Sequence, residues 1–368
     1  MAAVLAEVNR VHLRHHSGRP HLANTAKYPP STGFWHQGDL RTSRLQKEHR
    51  TVFVIICLCY EGLEWPEGGL MEMVGPKHDL LLFLSHLKYR HRNDNREFLI
   101  YTDFDADFKD HTGFTAPIRR IPATRNTLVR PKATANAKHE ADDDPLRKAT
   151  HIQATMQSLD REDKCVLYYS GHIEVDSQNT HDGSAHILLR ENERIYDHEL
   201  RGWLQQSRFS TTSIIAIFDA CFSGGFLGLP YVHSKNENHM NKTDKAHEQQ
   251  MTSHVIEIAS TAKDQLSFGK KFKGNTQGIL TWHLLQYLEV NPRASLYDLG
   301  SHIYSECDTR WVDGQKHEWR QVPVLSCSRN INEATALLES VLAWHLLQCL
   351  KVNPQPVLHE LVAHIYSV

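Results

Sequence analysis

The sequence lacks the features that mark membrane, nucleic-acid-binding and disulfide-stabilised proteins. Its 368 residues carry a formal net charge of −2, so no overall field would attract nucleic acid or an anionic membrane. No apolar run approaches the roughly 18 residues of a membrane-spanning helix, and the N terminus lacks the apolar stretch of a signal peptide. The seven cysteines follow no regular spacing, which argues against a disulfide framework. We therefore expect a protein of a reducing, cytoplasmic compartment, with no nucleic-acid or membrane partner.

Two common signatures of ligand-binding sites are also missing. Neither G-x-G-x-x-G nor G-x-x-x-x-G-K-[ST] follows an apolar run, so a phosphate-binding enzyme is unsupported. The 26 histidines are scattered without metal-ligand spacing, and we interpret most of them as surface residues. Hydrophobic residues make up 40% of the chain, which is enough for a large core. We therefore looked for chemically active side chains at the ends of the predicted strands.

One apolar strand ends in a cysteine. Residues 211–225 read TTSIIAIFDACFSGG, and the branched apolar run Ile214–Phe218 predicts a parallel strand buried on both faces. Cys221 follows directly, and in open α/β sheets chemistry gathers beyond the carboxyl ends of strands. Cys221 is therefore a candidate nucleophile, although a buried structural cysteine fits this stretch equally well.

A second apolar strand ends in a histidine. Residues 164–172 read KCVLYYSGH, and His172 precedes Cys221 by 49 residues. If the two strands are parallel neighbours, both ends reach the same edge of the sheet. A cysteine and a histidine placed in this way suit a thiolate nucleophile with an imidazole acid–base partner.

Together, YYSGH and DACFSG resemble the paired motifs of the caspase-like cysteine peptidases, in particular the metacaspase branch. That branch typically shows YSGHG and D-[SA]-C-H-S-G, and the resemblance covers roughly residues 50–327. It implies a three-layer αβα fold with a mostly parallel sheet of about six strands. It also implies a cysteine endopeptidase whose catalytic dyad is Cys221 and His172, with no cofactor required for the chemistry.

The resemblance also assigns an oxyanion hole to the backbone N–H groups of Cys221 and Ile173. The family has glycine where this chain has Ile173, and a left-handed backbone at that position would strain isoleucine. This difference keeps a second hypothesis open, in which the chain is a catalytically inactive caspase-like scaffold that binds partners.

Three residues match the acidic S1 pocket of metacaspases, namely Asp79, Ser170 and Asp219. Two carboxylates in a cleft would bind a Lys or Arg side chain of a substrate and repel Asp. The expected partners are therefore protein or peptide substrates with a basic P1 residue. For Asp219 a purely structural role, as an acceptor for loop amides at the strand end, competes with this interpretation.

Calcium is a candidate activator, because the corresponding region of calcium-dependent metacaspases carries an acidic cluster. Asp176, Asp182 and Asp197 would supply carboxylate oxygens here. However, His198 stands where a second consecutive Asp is usual in the family.

The domain organisation is expected to be a caspase-like domain between two extensions. Residues 1–49 are polar and predicted to be disordered, either as the prodomain that the resemblance implies or as an inert tail. Within the domain, residues 226–252 form a polar linker that is either an uncut loop or a site of autocatalytic cleavage. The candidate cleavage residues are Lys235, Lys242 and Lys245.

The C-terminal segment 328–368 contains an internal duplication. Residues 341–367 repeat residues 279–305, with 16 of 27 positions identical. The copied unit is a predicted helix pair without either strand-end motif, so it adds no second site. It packs loosely on the domain or serves as a dimerisation or regulatory element, and the oligomeric state stays open.

Overall fold

The computed structural model describes the greater part of the central region of the chain. The described residues are 50–65, 71–88, 96–105, 118–124, 128, 152–175, 184–190, 193–205, 212–233, 240–243, 251–291, 294–312 and 318–330. The predictions for 1–49, for the C-terminal duplication and for Asp176, Asp182, Lys235 and Lys245 lie outside these residues.

Sixteen strands and five helices lie within the described residues. The strands are β1 (Thr51–Cys57), β2 (Arg96–Thr102), β3 (Ile118–Pro122), β4 (Lys164–Ser170), β5 (Ile173–Val175), β6 (Ala185–Leu188), β7 (Arg194–Tyr196), β8 (Ser213–Asp219), β9 (Tyr231–His233), β10 (Met240–Lys242), β11 (His254–Ala259), β12 (Gly269–Phe272), β13 (Asn275–Gly278), β14 (Thr309–Val312), β15 (Glu318–Gln321) and β16 (Val324–Cys327). The helices are α1 (Gly75–Lys88), α2 (Ile152–Ser158), α3 (Asp197–Gln205), α4 (Ile279–Val290) and α5 (Leu296–Cys307).

Nine of these strands form one sheet in the order β10-β9-β16-β11-β8-β4-β1-β2-β3. The six from β11 to β3 are mutually parallel, which confirms the prediction of a mostly parallel sheet. Three antiparallel strands, β16, β9 and β10, extend one edge beyond the predicted number. Three smaller sheets, β5-β6-β7, β12-β13 and β14-β15, lie outside it.

The sheet is covered on both faces, because alternate residues of its strands enter two separate hydrophobic clusters. Along β1, Phe53 and Ile55 belong to one cluster, whereas Val52 and Val54 belong to the other. Helices α1, α4 and α5 supply leucines and isoleucines to the first cluster, and α2 and α3 supply apolar residues to the second. This arrangement is the predicted three-layer αβα fold, and it explains why the central strands are apolar at every position.

Local sequence signals mark the start of α1 and of α5 but not that of α4. Pro76 lies at the beginning of α1, where its missing N–H costs nothing. Ser295 and Asp298 form a reciprocal capping box at the start of α5. Helix α4 has no side-chain cap from its own N-cap residue, Gly278. Its first N–H groups are instead available to acceptors from neighbouring elements.

Part of the predicted linker is ordered in strands. Tyr231–His233 and Met240–Lys242 pair with each other, and the first of these also pairs with β16. Parts of the segment 226–252, which was interpreted as a polar linker or surface loop, therefore lie in strands of the main sheet. In the described segments, no helix combines the length and apolarity needed to cross a membrane.

Candidate active site

Cys221 lies in a tight loop just after β8, and this loop is tied to the segment that follows β11. The Ala220 N–H donates to Ser260 Oγ at 3.1 Å, and the Phe222 N–H donates to the Gln265 carbonyl at 2.8 Å. Phe222 has a φ of 55°, a left-handed conformation that is costly for a residue with a large side chain. The loop therefore turns sharply and leaves Cys221 half-buried rather than in the core.

The environment of the Cys221 sulfur favours the neutral thiol. Burial raises the pKa of Cys221 above its ordinary value, and the nearby charge of Asp219 raises it further. The Ser267 N–H, which donates to Sγ at 3.3 Å, acts in the opposite direction. In the free protein at neutral pH the sulfur is therefore largely protonated, and a base is needed to activate it.

His172 follows β4 and is held by contacts on its ring and on its backbone. Its imidazole packs against Tyr60, with ring centroids 4.7 Å apart, and against Trp65 at 5.0 Å. Burial lowers the pKa of His172 below its ordinary value, and the hydrogen bond to the Met71 carbonyl offsets this only in part. The neutral imidazole is therefore favoured, which is the form that can act as a base.

The Met71 carbonyl determines which nitrogen of His172 carries the proton. His172 Nε2 lies 2.9 Å from the Met71 oxygen, which can only accept a hydrogen bond. The neutral ring must then carry its proton on Nε2, so Nδ1 has the free lone pair. Nδ1 is thus the nitrogen able to accept a proton from a thiol.

Strand register brings the two candidate catalytic residues to the same edge of the sheet. Ser170 pairs with Asp219 across β4 and β8, and His172 and Cys221 each lie two residues beyond this pair. In the described part of the chain no hydrogen bond joins the two side chains, since Cys221 Sγ contacts Ser267 and His172 Nε2 contacts Met71. Catalytic hydrogen bonds often tighten only when substrate is bound.

The three residues predicted to form the S1 pocket do come together. Ser170 Oγ donates to Asp79 Oδ2 at 3.0 Å, and both residues line a cleft of about 250 Å³ together with Asp219 and Cys221. Asp79 and Asp219 are 1% and 5% exposed, so the two carboxylates form the floor of the cleft. Apolar side chains, among them Met73 and Phe268, complete its walls.

The carboxylates also have the structural role that competed with the pocket hypothesis. Asp219 Oδ2 accepts from the Thr281 N–H at 2.9 Å and from Thr281 Oγ1 at 2.7 Å, while Ser267 Oγ donates to Oδ1 at 3.1 Å. The Gly278 N–H donates to Asp79 Oδ1 at 2.9 Å. Both acids therefore cap the first turn of α4, where the helix dipole favours negative charge.

These hydrogen bonds do not fully offset the free-energy cost of burying two neighbouring carboxylates. Burial raises the pKa of both carboxyls above their ordinary values, and for Asp79 the charge of Asp219 raises it further. All the cleft-lining residues named with them are neutral, and no ion pair to either acid is found in the described residues. A cation that entered the cleft would relieve this repulsion.

Gly278 is required because its backbone lies against Asp219. A Cβ atom at this position would collide with the Asp219 carboxylate, which is fixed by three hydrogen bonds. We expect Gly278→Ala to displace Asp219, to lower the melting temperature, and to reduce turnover of basic substrates by on the order of tenfold or more. Thermal melts and peptide hydrolysis would measure both effects.

Gly202→Ala is the matched control for this substitution. Gly202 lies in α3, and a Cβ there meets no atom within 4 Å. Alanine is favoured over glycine inside a helix by about 1 kcal/mol, so this variant should be slightly stabilised and fully active. Equal behaviour of the two variants would contradict the packing argument for Gly278.

Ile173 does not have the strained backbone that a left-handed position would impose. It begins β5 opposite Ile187 and is not among the non-glycine residues with positive φ. The Leu188 N–H donates to the His172 carbonyl at 3.0 Å. Hydrogen-bonded positions alternate along an antiparallel pair, so the Ile173 N–H points away from β6. Its assignment to an oxyanion hole, with Cys221, stays a prediction.

The remaining predicted residues are not gathered at this cleft. Asp197 begins α3, and its Oδ1 accepts the His198 N–H. No group of three metal-ligating side chains occurs among the residues that the structure describes. Lys242 is exposed in β10. The calcium site and the cleavage sites therefore stay predictions.

Several contributors to the site had no signal in the sequence. Met71 acts through its backbone carbonyl, so its side chain gives no indication of its role. Gly278 and Thr281 reach the carboxylates from the start of α4, and Ser267 reaches both Asp219 and Cys221 from a loop. Only the tertiary fold brings these groups to the cleft.

Comparison with known proteins gives concordant matches. A family model described as "Caspase domain" matches residues 108–334. Metacaspase-1A of Aspergillus oryzae is 24% identical over 221 residues, covering 46% of this chain and 51% of that protein. Metacaspase-1A of Aspergillus clavatus is 24% identical over 220 residues, with coverages of 46% and 49%. The chain thus spans about half the length of the curated relatives it matches.

A solved structure is among the matches found by structural comparison. It is the crystal structure of a protein from Geobacter sulfurreducens, with a TM-score of 0.42 and 15% sequence identity. The match covers 76% of this chain and 93% of that one.

Proposed function

The chain belongs to the caspase-domain family, and from this premise we propose that it is a cysteine endopeptidase that cleaves after Arg or Lys. Cys221 would be the nucleophile and His172 its acid–base partner. The observation that carries the proposal is one cleft in which a half-buried cysteine lies beside two buried carboxylates, Asp79 and Asp219.

The chemistry follows the usual order for a thiol peptidase. Nδ1 of His172 takes the proton of Cys221, and the thiolate attacks the scissile carbonyl carbon to form a tetrahedral oxyanion. The N–H groups of Cys221 and Ile173 would stabilise this oxyanion. The imidazolium of His172 then protonates the leaving amine, which breaks the peptide bond and leaves a thioester on Cys221. His172 next takes a proton from water, and the hydroxide attacks the thioester carbonyl carbon. The C–S bond then breaks to release the acid product, and the imidazolium returns its proton to the Cys221 sulfur.

The cleft supplies the specificity. A Lys or Arg side chain is long enough to bury its aliphatic stem against apolar walls such as Met73 while its charge reaches the floor. There it would meet Asp79 and Asp219, whose repulsion it relieves. An aspartyl side chain would add a third negative charge to the same space, so we expect strong discrimination against it.

The raised pKa of Cys221 leads to a specific pH dependence. Because the thiol is favoured at neutral pH, the thiolate fraction should increase about tenfold for each pH unit below the pKa of Cys221. We expect the rate of Cys221 alkylation by iodoacetamide to rise in this way between about pH 6.5 and 8.5, measured by mass spectrometry of the peptide containing Cys221. A flat rate through neutral pH would mean that a thiolate–imidazolium pair is already formed.

The direct test of the function is hydrolysis of two fluorogenic peptides that differ only in having Arg or Asp at P1. Each is assayed with and without calcium. We expect cleavage of the arginyl peptide alone, and a calcium requirement would support the ligand set Asp176, Asp182 and Asp197. Cleavage of the aspartyl peptide would overturn the pocket assignment. If folded protein cleaved neither peptide in the presence of calcium, the result would favour the hypothesis of an inactive scaffold.

Two further properties follow from the same proposal. Specificity for basic residues would allow the enzyme to cut its own chain after Lys235, Lys242 or Lys245. A cytoplasmic location is also part of the proposal, because thiols are kept reduced in the cytosol and the six cysteines in the described residues are all unpaired.

A further inference from the structure

Two buried tyrosine hydroxyls hold the peptide backbone of His172. The His172 N–H donates to Tyr60 Oη at 3.0 Å, and Tyr169 Oη donates to the His172 carbonyl at 2.7 Å. Tyr60 Oη also donates to the Leu188 carbonyl at 2.7 Å. Each tyrosine therefore uses its single hydroxyl proton on a backbone carbonyl, and His172 is bonded on both sides.

Two backbone positions are constrained by the placement of these hydroxyls. Tyr60 has a φ of 55°, a left-handed conformation that tyrosine rarely adopts. Gly171 lies directly beneath the hydroxyls, since a Cβ there would be 2.6 Å from Tyr169 Oη and 3.0 Å from Tyr60 Oη. No larger residue fits at Gly171 unless the two rings move. The arrangement is thus specific to tyrosines packed against this glycine.

The contacts fix His172 at three points. The hydroxyls hold its N–H and its carbonyl, and the Met71 carbonyl holds Nε2 of its ring at 2.9 Å. Burial raises the pKa of both tyrosines well above their ordinary value, so both hydroxyls stay protonated as donors. Neither tyrosine is among the residues that line the cleft.

We propose that Tyr60 and Tyr169 are positioning residues that hold the imidazole of His172 where its Nδ1 can serve Cys221. This inference rests on the proposed peptidase function. The tyrosines would not touch substrate, so they should affect turnover and the reactivity of Cys221 but not substrate binding.

The test uses Tyr60→Phe and Tyr169→Phe, with Tyr304→Phe as the matched control. Tyr304 is a buried tyrosine that likewise donates to a backbone carbonyl, that of His233, at 2.6 Å. Each variant loses one hydroxyl and its bond to a backbone carbonyl, so Tyr169→Phe and Tyr304→Phe should lose similar amounts of melting temperature. Tyr60→Phe also leaves the His172 N–H without its acceptor and should lose somewhat more. Only Tyr60→Phe and Tyr169→Phe should lower kcat, by about 10- to 100-fold as for other groups that orient a catalytic ligand, with KM unchanged.

Two further readouts separate positioning from stability. In a His172→Ala background, adding Tyr60→Phe should cause no further loss of kcat, because the group it positions is gone. In proteins with His172 intact, the nitrogen NMR signals of the His172 imidazole, assigned by difference from His172→Ala, should show the Nε2–H tautomer in Tyr304→Phe but a loss of this single tautomer in Tyr60→Phe and Tyr169→Phe. This NMR measurement needs no substrate, so it tests the position of His172 even if the chain cleaves no peptide.

The proposal is overturned if Tyr60→Phe and Tyr169→Phe keep the wild-type NMR signals of the His172 imidazole. It is also overturned if Tyr304→Phe loses as much activity as they do, since the effect would then be general destabilisation.

Discussion

Replacing Cys221 by alanine should reduce kcat/KM for an arginyl peptide by at least about 10⁴-fold, because no other group at the cleft can form the acyl intermediate. The fold should tolerate the change. Cys221 is half-buried, and the hydrogen bonds of its sulfur within the described residues are two weak ones with Ser267, at 3.3 and 3.8 Å. A melting temperature close to that of the wild type is therefore expected.

Cys165→Ala is the matched control for this prediction. Cys165 is a fully buried cysteine of β4, in the cluster on one face of the sheet. Its replacement should lower stability through the small cavity it leaves, yet preserve kcat/KM. If Cys221→Ala retained substantial activity, the assignment of the nucleophile would be wrong.

Replacing Asp219 by asparagine should separate activity from stability. Loss of the charge should lower kcat/KM for the arginyl peptide by on the order of 100-fold or more, as for other buried charge pairs that lose one partner. Asparagine can keep the local bonds: its carbonyl would accept from Thr281, and its amide would donate to Ser267 Oγ, which can reverse its role. The structural role of Asp219 is then retained while the charge is removed.

Stability should move in the opposite direction to activity. In the folded protein the pKa values of Asp79 and Asp219 are raised, so both groups disfavour folding when ionised and favour it when protonated. Asp219→Asn should therefore raise the melting temperature relative to the wild type at pH 8. The advantage should fade as the pH falls through the folded pKa values, which thermal melts from pH 8 down to pH 4 would detect.

Asp163→Asn is the control for loss of a buried carboxylate elsewhere. Asp163 accepts the N–H groups of Arg50 and Asp160 just before β4 begins, far from the carboxyl end of that strand. This variant should be destabilised but should keep its preference for arginine. If Asp219→Asn cleaved the arginyl peptide at the wild-type rate, the charge of Asp219 would not contribute to recognition of the basic P1 side chain.

The parallel core of the fold could be predicted because its strands are continuous apolar runs. Such runs occur only where both faces of a strand are covered, as for Thr51–Cys57 and Ser213–Asp219. The edge elements could not be predicted, since β3 contains two arginines and the hairpin strand Gly269–Phe272 contains two lysines. Their strand character depends on tertiary contacts rather than on composition.

One error concerns the strand that ends the domain. The family resemblance implies an edge strand at 321–326, QVPVLS, and Pro323 is compatible with an edge position. The strand instead begins at Val324 and lies between β11 and β9. Pro323 precedes it and removes no ladder hydrogen bond, so the proline carries no information about the position of this strand in the sheet.

For the site, the sequence predicted the main side chains but not the backbone groups that contact them. Parallel strand ends predicted that Ser170, His172, Asp219 and Cys221 would share one edge of the sheet, and Asp79 followed from the family resemblance. The Met71 carbonyl, the N–H groups at the start of α4 and the tyrosine hydroxyls behind His172 were not predictable. Each of these bonds has a backbone atom as one partner, and most of them join residues far apart in the sequence, which no local pattern encodes.

The central claim is that one cleft joins a reactive cysteine to a pocket for a basic side chain. Its most direct test is covalent labelling with two acyloxymethyl ketones that carry an arginyl or an aspartyl residue, followed by mass mapping of the modified peptide. We predict that the arginyl reagent labels Cys221 alone and that Asp219→Asn slows this labelling strongly. Labelling of another cysteine, or faster labelling by the aspartyl reagent, would contradict the account.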